Sequence, residues 1–540
     1  MKDIRTVLIP SAGTGSRLGE YTSKYNKAMT TVGPKPVISY VIEKFTKDDT
    51  IIICTGYKAD YLKQVIKVCY PDWHITFVDV DKYEGPGSGP GYSIIKARTY
   101  IQGPFYFFCN DTIIDEDIRS LPTDSNFIIG ADYHGIQNPE NYRNLLVNDG
   151  IVSKVLPKGD PTPNTYPYIG AAYIKDWKDF FAAYDDNPEL FINAGEAVGL
   201  NNLKNSKLVM TTTWIDTGNK KILEKAKVDA AAKMEATILE KPDESLWFFD
   251  DKVVKFHVDE NFIKGRIERS KTILSQKNRN GLFTIPEIID VQKNVYSYKF
   301  ALGHTVSSQI TPVLFDWLIT QYFTQLDYEE LDKDKAKEAY HDFYYDKTLK
   351  RINDYLVKFE DLDNHCEING LSCQPVKYLV EHIDFDSLSK KAIWSKNFHG
   401  DFHLENILYD GEKFTLLDWR QNFGKLGNIG DIYYDLGKLW HSFYISDKMI
   451  KDGFYTIKEI GEDKYIVDIH RTLIDTDCEN LLIHYLDNSM YDVNQAKLMM
   501  ILVIVNIAAL HVYPYSKFAF YLGKYLLNEF YNAHPEYFIK

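Results

Sequence analysis

The stretch 6-TVLIPSAGTGSRLG-19 decides the fold of the first half of the chain. Its apolar beginning has the composition of a buried strand, and Gly13 and Gly15 follow at once. A strand that runs directly into such a loop is typical of βα turns that bind phosphate, because successive loop N–H groups can form an anion-binding concavity. Arg17 adds a forked cation. A tight turn without a ligand explains the same glycines, so the loop alone does not decide the function.

After this loop, predicted strands and helices alternate along the sequence. Apolar runs at 50–56, 74–80 and 105–111 predict three more buried strands. Between them, 36–45 and 60–70 have apolar residues at helical spacing. We therefore predict a Rossmann-like α/β domain over residues 1–228, with a mostly parallel sheet and ligands beyond the carboxyl ends of its strands.

The second half of the chain has a different pattern. An alanine- and lysine-rich stretch at 219–234 predicts a helical connector, and 245–257 predicts two short strands around Asp250–Asp251. From about residue 311 long helical patterns dominate, interrupted by a β segment at 413–419. We predict a bilobal α+β domain, with a small lobe over 229–310 and a large helical lobe over 311–540.

Composition excludes several classes of function. The 540 residues carry a net charge of −14 and no basic block, which argues against a nucleic-acid partner or a polybasic membrane anchor. The six cysteines show no metal-binding spacing and are typical of buried thiols in a reducing cytoplasm. The apolar run 499–512 is interrupted by Asn506 and is too short to span a bilayer, so we expect a buried helix, no membrane insertion and a cytoplasmic protein. The oligomeric state is not indicated.

Two lysines, Lys27 and Lys35, follow the glycine loop and can neutralise phosphates that would otherwise repel each other. The pattern A-G-x-G-S-R-L with these lysines resembles the sugar-phosphate and choline-phosphate nucleotidyltransferase family over about residues 1–225. Asn26 stands where that family usually has proline. The resemblance implies that Arg17 and Lys27 are catalytic. It also implies that Ala12, Gly13, Gly15, Ser16 and Lys35 bind the nucleotide.

Two acidic residues complete this first predicted site. Asp111 ends the strand at 105–111, and Asp216 lies in 211-TTTWIDTGN-219. In the family such acids jointly hold Mg²⁺, whose preference for oxygen ligands suits a reaction between two phosphate groups. Turn or cap roles for both acids are the alternative. The loop 84-EGPGSGPGYSI-94 is a further candidate for nucleotide contact through Ser88 and Gly89, with a plain flexible loop as the alternative.

A second cluster of polar residues lies at 399-HGDFHLEN-406. Phosphoryl transfer needs a base that orients a hydroxyl, together with ligands for Mg²⁺. Asp401 suits the base, whereas Asn406 and Asp418, at the end of the β segment, suit the metal. The ordered set H-G-D-x-H-x-x-N followed by D-W-R makes an isolated turn a poor explanation.

This set resembles the aminoglycoside phosphotransferase and choline kinase family, most strongly over 397–440. The resemblance implies that Asp435 braces the catalytic loop. It also suggests that Lys255 binds the nucleotide phosphates with Glu268 as its partner, and that Ser245 belongs to a reduced phosphate loop. Aromatic residues near the loop (Trp419, Tyr433, Tyr434 and Trp440) suit either a cage for a quaternary ammonium or an ordinary core.

Together the two resemblances imply consecutive reactions in a bifunctional enzyme. The C-terminal half would phosphorylate a small alcohol with ATP, and the N-terminal half would couple the phosphomonoester to a nucleotide, with Mg²⁺ at both sites. We expect CTP and a choline-like amino alcohol or polyol, for surface-glycan or lipid decoration. A sugar kinase coupled to a sugar-1-phosphate nucleotidyltransferase is the alternative, and a non-catalytic nucleotide-binding regulator is the alternative of another class.

Overall fold

The computed structural model describes residues 4–134, 136, 138–233, 243–275 and 282–539. The chain forms two compact units. The first contains the described residues up to 233 together with 243–258 and 289–298, and the second contains 259–275, 282–288 and 299–539. The predicted small lobe, residues 229–310, is thus distributed over both units, and the division of the chain into three domains stays a prediction.

A nine-stranded mixed sheet forms the centre of the first unit. The four strands at one end of the sheet are parallel to one another, because the connections between them contain helices, as in βαβ units. Thr165–Ile174 then runs antiparallel to strands on both sides of it. The strands lie in the order Ile75–Asp79, Thr50–Thr55, Thr6–Ser11, Phe105–Phe108, Thr165–Ile174, Phe127–Gly130, Ser206–Met210, Ile151–Lys158 and Arg143–Asn148. The predicted α/β fold is confirmed.

Helices cover both faces of this sheet, because successive residues of Thr6–Ser11 are buried on opposite faces. Val7 and Ile9 face one hydrophobic core, whereas Leu8 faces another. Both cores are closed by helical residues, so the central strands are apolar on both faces. The helices of this unit are Val37–Ile42, Ala59–Cys69, Pro90–Ala97, Trp177–Asp186, Pro188–Ala194, Glu196–Asn201 and Lys220–Ala231.

A four-stranded sheet from the predicted small lobe also belongs to the first unit. Its strands lie in the order Glu244–Phe248, Lys252–His257, Val295–Lys299 and Ile288–Val291. Trp247 is fully buried and donates from its indole nitrogen to Thr31 Oγ1 at 2.9 Å, and Lys252 Nζ donates to the Val68 carbonyl at 2.7 Å. These contacts and a shared hydrophobic core attach the sheet to the α/β domain.

The second unit is mostly helical. Most of its helices contribute to one large hydrophobic core. One turn of π-helix, His341–Asp346, joins two helices into a single rod. The α-helices are Glu260–Ser275, Val306–Gln309, Pro312–Thr324, Lys333–Tyr340, Lys347–Phe359, Val376–His382, Phe385–Lys390, Ile432–His441, Asp447–Asp452, Leu473–Asp487, Val493–Ile507 and Tyr515–Ala533.

Three small sheets carry the loops of the second unit. They pair strands in the following orders: Phe283–Thr284, Phe414–Leu416, Ile407–Tyr409, His304–Thr305; Tyr328–Glu329, Trp394–Ser395, Gly430–Asp431; and Leu371–Cys373, Cys366–Ile368, Lys464–Ile469, Tyr455–Gly461. Along the chain, the loop 399–406 lies between the strands Trp394–Ser395 and Ile407–Tyr409.

The stretch Val493–Leu510 is the apolar segment noted in the sequence. By length and composition it could cross a bilayer, but 72% of it is buried inside the protein. Burial within the core of the second unit agrees with the predicted buried helix. The prediction that the apolar run is too short to span a bilayer is wrong, because the helix begins before the run and reaches 18 residues.

Candidate active sites

The glycine loop of the first unit brings its backbone close to Lys27. Gly15 has a left-handed conformation, with φ of 66°, and a Cβ there would lie 3.0 Å from Lys27 Cβ. Beside Gly13, by contrast, no described atom lies within 4 Å of the position of a Cβ. Ala12 is buried, whereas Ser16 and Arg17 are exposed at the start of a 3₁₀ turn. Gly15 is therefore fixed by packing and Gly13 faces open space.

Asn26, which stands where the nucleotidyltransferase family usually has proline, fixes the backbone next to Lys27 through hydrogen bonds. Its side chain is completely buried and donates to the carbonyls of Ser11, at 2.9 Å, and Tyr57, at 2.8 Å. Its Oδ1 accepts from Ala28 N at 2.9 Å and caps the short turn Lys27–Met29. Asn26 thus ties the backbone before Lys27 to Ser11, the last residue of the first strand.

Asp111 directly precedes one of two short paired strands, and Asp216 ends the other. Thr112–Ile114 runs antiparallel to Trp214–Asp216, with Asp216 opposite Thr112. Both the backbone N–H and the hydroxyl of Thr217 donate to the Asp111 carbonyl at 2.9 Å. A Cβ on Gly218 would lie 2.6 Å from Asp111 Oδ2, 3.1 Å from Asp216 Oδ1 and 3.3 Å from Arg17 Nη2. The two carboxylates and Arg17 therefore converge on one small space.

The carboxylates of this site differ in their proton affinity. Lys27 Nζ lies 2.9 Å from Asp111 Oδ2. Burial opposes both charges, but the ion pair prevails, so the pKa of Lys27 is raised and the pKa of Asp111 is lowered. Burial and repulsion by Asp111 raise the pKa of Asp216, although Asp216 Oδ2 accepts a hydrogen bond from Tyr142 Oη at 3.0 Å.

This donor set fits a divalent cation. Mg²⁺ is usually bound by one or two carboxylates together with substrate phosphates, and here two carboxylates meet without a third acidic, histidine or cysteine ligand among the described residues. A cation between Asp111 and Asp216 would also relieve the repulsion that raises the pKa of Asp216. Magnesium binding by these residues remains a prediction.

Three predicted nucleotide-binding residues have other contacts in the structure. Lys35 Nζ lies 2.7 Å from Glu43 Oε2 and over the ring of Phe249, and no described contact joins it to the Lys27–Asp111 pair. Ser88 forms a turn, with its Oγ donating to the Gly85 carbonyl at 2.7 Å. A Cβ on Gly89 would lie 2.1 Å from the Ile192 carbonyl oxygen, so helix packing alone explains this glycine.

The loop 399–406 of the second unit is held by a buried carboxylate. Asp435 Oδ2 accepts from His399 N at 2.7 Å and Asp435 Oδ1 accepts from Gly400 N at 2.6 Å. Tyr322 Oη donates to Asp435 Oδ2 at 2.9 Å. Burial raises the pKa of Asp435 to about 6, although these bonds oppose the rise. Asp435 thus contacts loop backbone, which is the bracing role implied by the sequence.

The three predicted kinase residues come together at the end of this loop. Asn406 Nδ2 donates to the Asp401 carbonyl at 3.0 Å and to Asp401 Oδ2 at 3.2 Å, so its Oδ1 is the atom left for a metal. Leu417 N donates to the Asn406 carbonyl at 2.8 Å, which brings the next residue, Asp418, to the same place. One carboxylate and one amide oxygen fit Mg²⁺ shared with nucleotide phosphates.

The predicted lysine and glutamate of the small lobe have separate surroundings. Lys255 is 1% exposed in the hairpin of the first unit, and its Nζ lies 3.3 Å from Glu244 Oε2. Glu268 is exposed on the helix Glu260–Ser275 of the second unit. Their pairing stays a prediction. Ser245 is buried in the same hairpin as Lys255, and residues 240–242 of the predicted phosphate loop lie outside the described residues.

Several residues at these sites were not found from the sequence. Tyr142 contacts Asp216, and Lys438 Nζ lies 2.8 Å from Asp401 Oδ1. Lys438 stands three residues after Asp435 on one helix, a spacing that places both on the same face and was an available signal. Arg269 donates to the carbonyls of Lys396, Phe398 and Asn428 and fixes the backbone before the loop.

The aromatic residues near the kinase loop form core, not an open cage. Trp440 and Tyr433 are at most 2% exposed, and the Trp440 indole nitrogen donates to Glu479 at 2.7 Å. Tyr434 is buried, and Lys347 and Arg420 already lie over its ring at 4.8 and 5.8 Å.

The second candidate site lies in a region that matches a known protein family. The model of the phosphotransferase enzyme family, APH, matches residues 395–454, which contain Asp401, Asn406, Asp418 and Asp435. The chain carries a phosphotransferase-family domain. The match includes the loop, the metal-ligand candidates and the brace, so the predicted kinase resemblance of this region is confirmed.

The N-terminal region is similar to GlmU-type proteins. It is 27% identical over 136 residues to the bifunctional protein GlmU of Methanococcus vannielii, which is 25% of this chain and 30% of that protein. The GlmU of Methanocaldococcus jannaschii is 26% identical over 148 residues, or 26% of this chain and 33% of that protein. The chain thus spans about a third of the length of the curated relatives that it matches.

Solved structures align with a larger share of the chain, 42–43%. One is described as a glucose-1-phosphate thymidylyltransferase from Bacillus anthracis, with a TM-score of 0.36 and 18% identity over 43% of this chain and 97% of that one. Another is a CTP:phosphocholine cytidylyltransferase from Streptococcus pneumoniae, with a TM-score of 0.34 and 18% identity over 42% of this chain and 99% of that one.

Proposed function

We propose that the chain is a bifunctional enzyme that phosphorylates a small alcohol with ATP and then joins the phosphomonoester to a nucleotide. One observation carries this proposal. Two separate sites in one chain each combine oxygen ligands suited to Mg²⁺ with a charged group suited to phosphate chemistry: Asp111 and Asp216 with Lys27, and Asn406 and Asp418 with Asp401. The product of the second site would be the substrate of the first.

In the proposed kinase step, Asp401 takes the proton of the alcohol. The hydroxyl oxygen then forms a bond with the γ-phosphorus of ATP, the bond from that phosphorus to the bridging oxygen breaks, and ADP leaves. Asp435 supports the step indirectly, since it holds the backbone of His399 and Gly400 and so positions Asp401. Mg²⁺, when bound by Asn406 and Asp418, would neutralise the nucleotide phosphates.

In the proposed nucleotidyl transfer, an oxygen of the phosphomonoester attacks the α-phosphorus of the nucleotide and pyrophosphate leaves. Lys27 and Arg17 stand beside the acid pair and would neutralise charge that develops on the phosphates. The open space beside Gly13 leaves the backbone of the loop accessible to a phosphate. The metal at Asp111 and Asp216 would bring the two anions together.

We propose CTP as the nucleotide and a CDP-linked alcohol as the product, made in the cytoplasm for surface-glycan or lipid decoration. Support for CTP comes from the resemblance of the compact N-terminal domain to the choline-phosphate branch of its family. An NDP-sugar made from a sugar 1-phosphate is the competing product.

The test follows ADP and pyrophosphate separately. Full-length protein is incubated with Mg²⁺, ATP, each of four nucleoside triphosphates and a panel of alcohols and sugars. Pyrophosphate that appears only when both ATP and the unphosphorylated alcohol are present supports the coupled reaction. A preference for sugars with UTP or dTTP would favour the NDP-sugar alternative. No release with any alcohol or phosphomonoester would favour a non-catalytic nucleotide-binding protein.

Reciprocal variants test whether the two sites act independently. Asp401→Asn should reduce ADP formation by about 10²- to 10⁴-fold and leave nucleotidyl transfer to a supplied phosphomonoester intact, because it removes only the proposed base. Asp111→Asn should have the opposite effect. Loss of both activities in either variant, with an unchanged melting temperature, would contradict two independent sites.

A further inference from the structure

Lys438, which pairs with the proposed base Asp401, is one of four basic residues that cluster at the kinase site. They come from three separate segments of the second unit: Lys347 and Arg351 from the helix that follows the π-turn, Arg420 from the segment after Asp418, and Lys438 from the helix Ile432–His441. We call these four residues the cationic basin. The matched phosphotransferase-family region, 395–454, contains Arg420 and Lys438 but not the other two.

Two aromatic rings hold part of the basin together. The rings of Phe343 and Tyr434 are perpendicular, with centroids 4.8 Å apart. Lys347 Nζ lies 3.5 Å from the Phe343 centroid and 4.8 Å from that of Tyr434, and Arg420 Cζ lies 4.9 and 5.8 Å from the same two centroids. Both cations thus lie over the same ring pair, where a quaternary ammonium would have to compete with them.

The positive charge of the basin exceeds the negative charge near it. Lys438 is paired with Asp401, and Asp354, which pairs with Lys350, also attracts Arg351. Among the described residues no carboxylate lies within ion-pair distance of Lys347, Arg351 or Arg420. Burial lowers the pKa of Lys347 well below its ordinary value, and repulsion by Arg420, Lys438 and Arg351 lowers it further. Like charges held together in a half-buried site are costly unless an anion compensates them.

The two oxygens of Asp401 face different surroundings. Oδ2 accepts from Asn406, one of the proposed metal ligands, whereas Oδ1 contacts Lys438 of the basin. The nucleotide and its metal belong on the Oδ2 side, because Asn406 is there. The basin therefore borders the opposite side of the base, where the alcohol must present its hydroxyl.

We propose that the cationic basin binds an anionic group of the alcohol that the kinase phosphorylates, so that this substrate carries a carboxylate or a phosphate besides its reacting hydroxyl. The inference rests on the proposed kinase function and specifies its substrate class. The anionic group would contact Lys347, Arg351 and Arg420, and the hydroxyl would displace Lys438 from Asp401. The hydroxyl proton goes to Asp401, its oxygen bonds to the γ-phosphorus, and ADP leaves.

The first experiment compares substrate classes with full-length protein. ADP formation is measured with Mg²⁺–ATP and four kinds of acceptor: neutral polyols, choline, hydroxy acids such as glycerate, and phosphorylated alcohols such as glycerol phosphate. We expect kcat/KM to be at least tenfold higher for one anionic arm than for the neutral and cationic arms. The better of the two anionic arms identifies the group as carboxylate or phosphate.

The second experiment removes one cation of the basin. Lys347→Met should raise KM for the anionic acceptor by about tenfold or more and leave KM for ATP within twofold. Lys350→Met is the matched control, because Lys350 is exposed on the same helix and pairs with Asp354. Inorganic phosphate without nucleotide should raise the melting temperature of the wild type more than that of Lys347→Met.

The possible failures are distinguishable. Highest activity with neutral polyols or choline would overturn the anionic substrate and leave the kinase function standing. A rise in KM for ATP alone in Lys347→Met would assign the basin to the nucleotide and also overturn the inference. No ADP with any acceptor would overturn the kinase function itself, and this inference with it.

Discussion

The two sites of this chain balance charge in opposite ways. In the first unit two carboxylates, Asp111 and Asp216, face two cations, Lys27 and Arg17, so the site is nearly neutral before any ligand binds. In the second unit Asp401 pairs with Lys438, which belongs to a cluster of four basic residues. A nearly neutral site suits a metal and a triphosphate that arrive together, whereas a cationic surplus requires an anion in addition to the metal–nucleotide complex.

The sites also differ in how they are kept in position. In the first unit two short paired strands set the acids side by side, and Gly218 occupies the narrow space between them. In the second unit a buried carboxylate, Asp435, holds the loop through backbone N–H groups and Tyr322. The first arrangement depends on the absence of a side chain, and the second depends on a hydrogen-bond network.

The largest predicted effect tests the close approach of the first site. In Gly218→Ala the new Cβ would meet Asp111 Oδ2 at 2.6 Å and must displace a carboxylate. We expect nucleotidyl transfer to fall by about a hundredfold or more, since a displacement of roughly 1 Å can have that effect, with ADP formation unchanged. Pyrophosphate release from a supplied phosphomonoester measures the effect.

The matched control is Gly103→Ala in the same unit, where no described atom lies within 4 Å of the position of the Cβ. Its activity should equal that of the wild type. A Gly218→Ala protein with full nucleotidyl transfer would show that the acids are not held as closely as the structure indicates.

The sequence was a good guide where function lies close to the end of a strand. Thr6–Ser11, Thr50–Thr55 and Ile75–Asp79 agree with the predicted strands, because continuous apolar runs bounded by turns are a strong local signal. The fourth strand, Phe105–Phe108, is shorter than the predicted 105–111, so Asp111 lies in the turn after it and does not end it. Asp111 and Asp216 then meet because their short strands pair. Lys35 differs, since its local partner Glu43 engages it, and a motif does not reveal such a competitor.

The sequence was a poor guide where function depends on distant segments. Lys347 and Arg351 lie fifty or more residues before Asp401 on a helix whose pattern indicates only core packing, and the π-turn before them leaves no sequence signal. The hairpin 244–257 was predicted as strands, but its attachment to the α/β domain depends on burial of Trp247 and neighbouring residues. Periodicity predicts that a face is buried without specifying its partner.

A smaller effect tests the hydrogen-bond network of the second site. Tyr322→Phe removes a hydroxyl that donates to Asp435 and accepts from His399 N. We expect the free energy of unfolding of the second unit to fall by about 1 kcal/mol and ADP formation to fall a few fold, with nucleotidyl transfer unchanged. Denaturant unfolding and the two activity assays measure these changes.

The pH dependence of this loss provides a further check. The pKa of Asp435 is raised to about 6, and the Tyr322 hydroxyl bond stabilises its charged form. The loss should therefore be larger at pH 8, where Asp435 is ionised, than at pH 5. Tyr345→Phe is the control, because no hydrogen bond of its hydroxyl is found among the described residues. An equal loss at both pH values would mean that Tyr322 does not support the charged brace.

The smallest predicted effect concerns the stability of the second unit at acidic pH. The second unit buries His441, and burial together with Lys438 and His403 lowers its pKa to about 3. The folded protein keeps this imidazole neutral, whereas the unfolded chain binds a proton near pH 6.5, so stability present above pH 6.5 is lost as the pH falls. Between pH 7.5 and pH 6 we expect His441 to account for roughly 0.8 kcal/mol of this loss.

His441→Gln should lose that much less stability over the same interval in denaturant unfolding, while His399, with a pKa lowered to about 3 by burial, contributes equally to both proteins. Parallel pH profiles for His441→Gln and wild type would show that His441 is protonated or solvated in the folded protein. The surroundings of His441 and Lys438 would then be more open to solvent than the structure indicates.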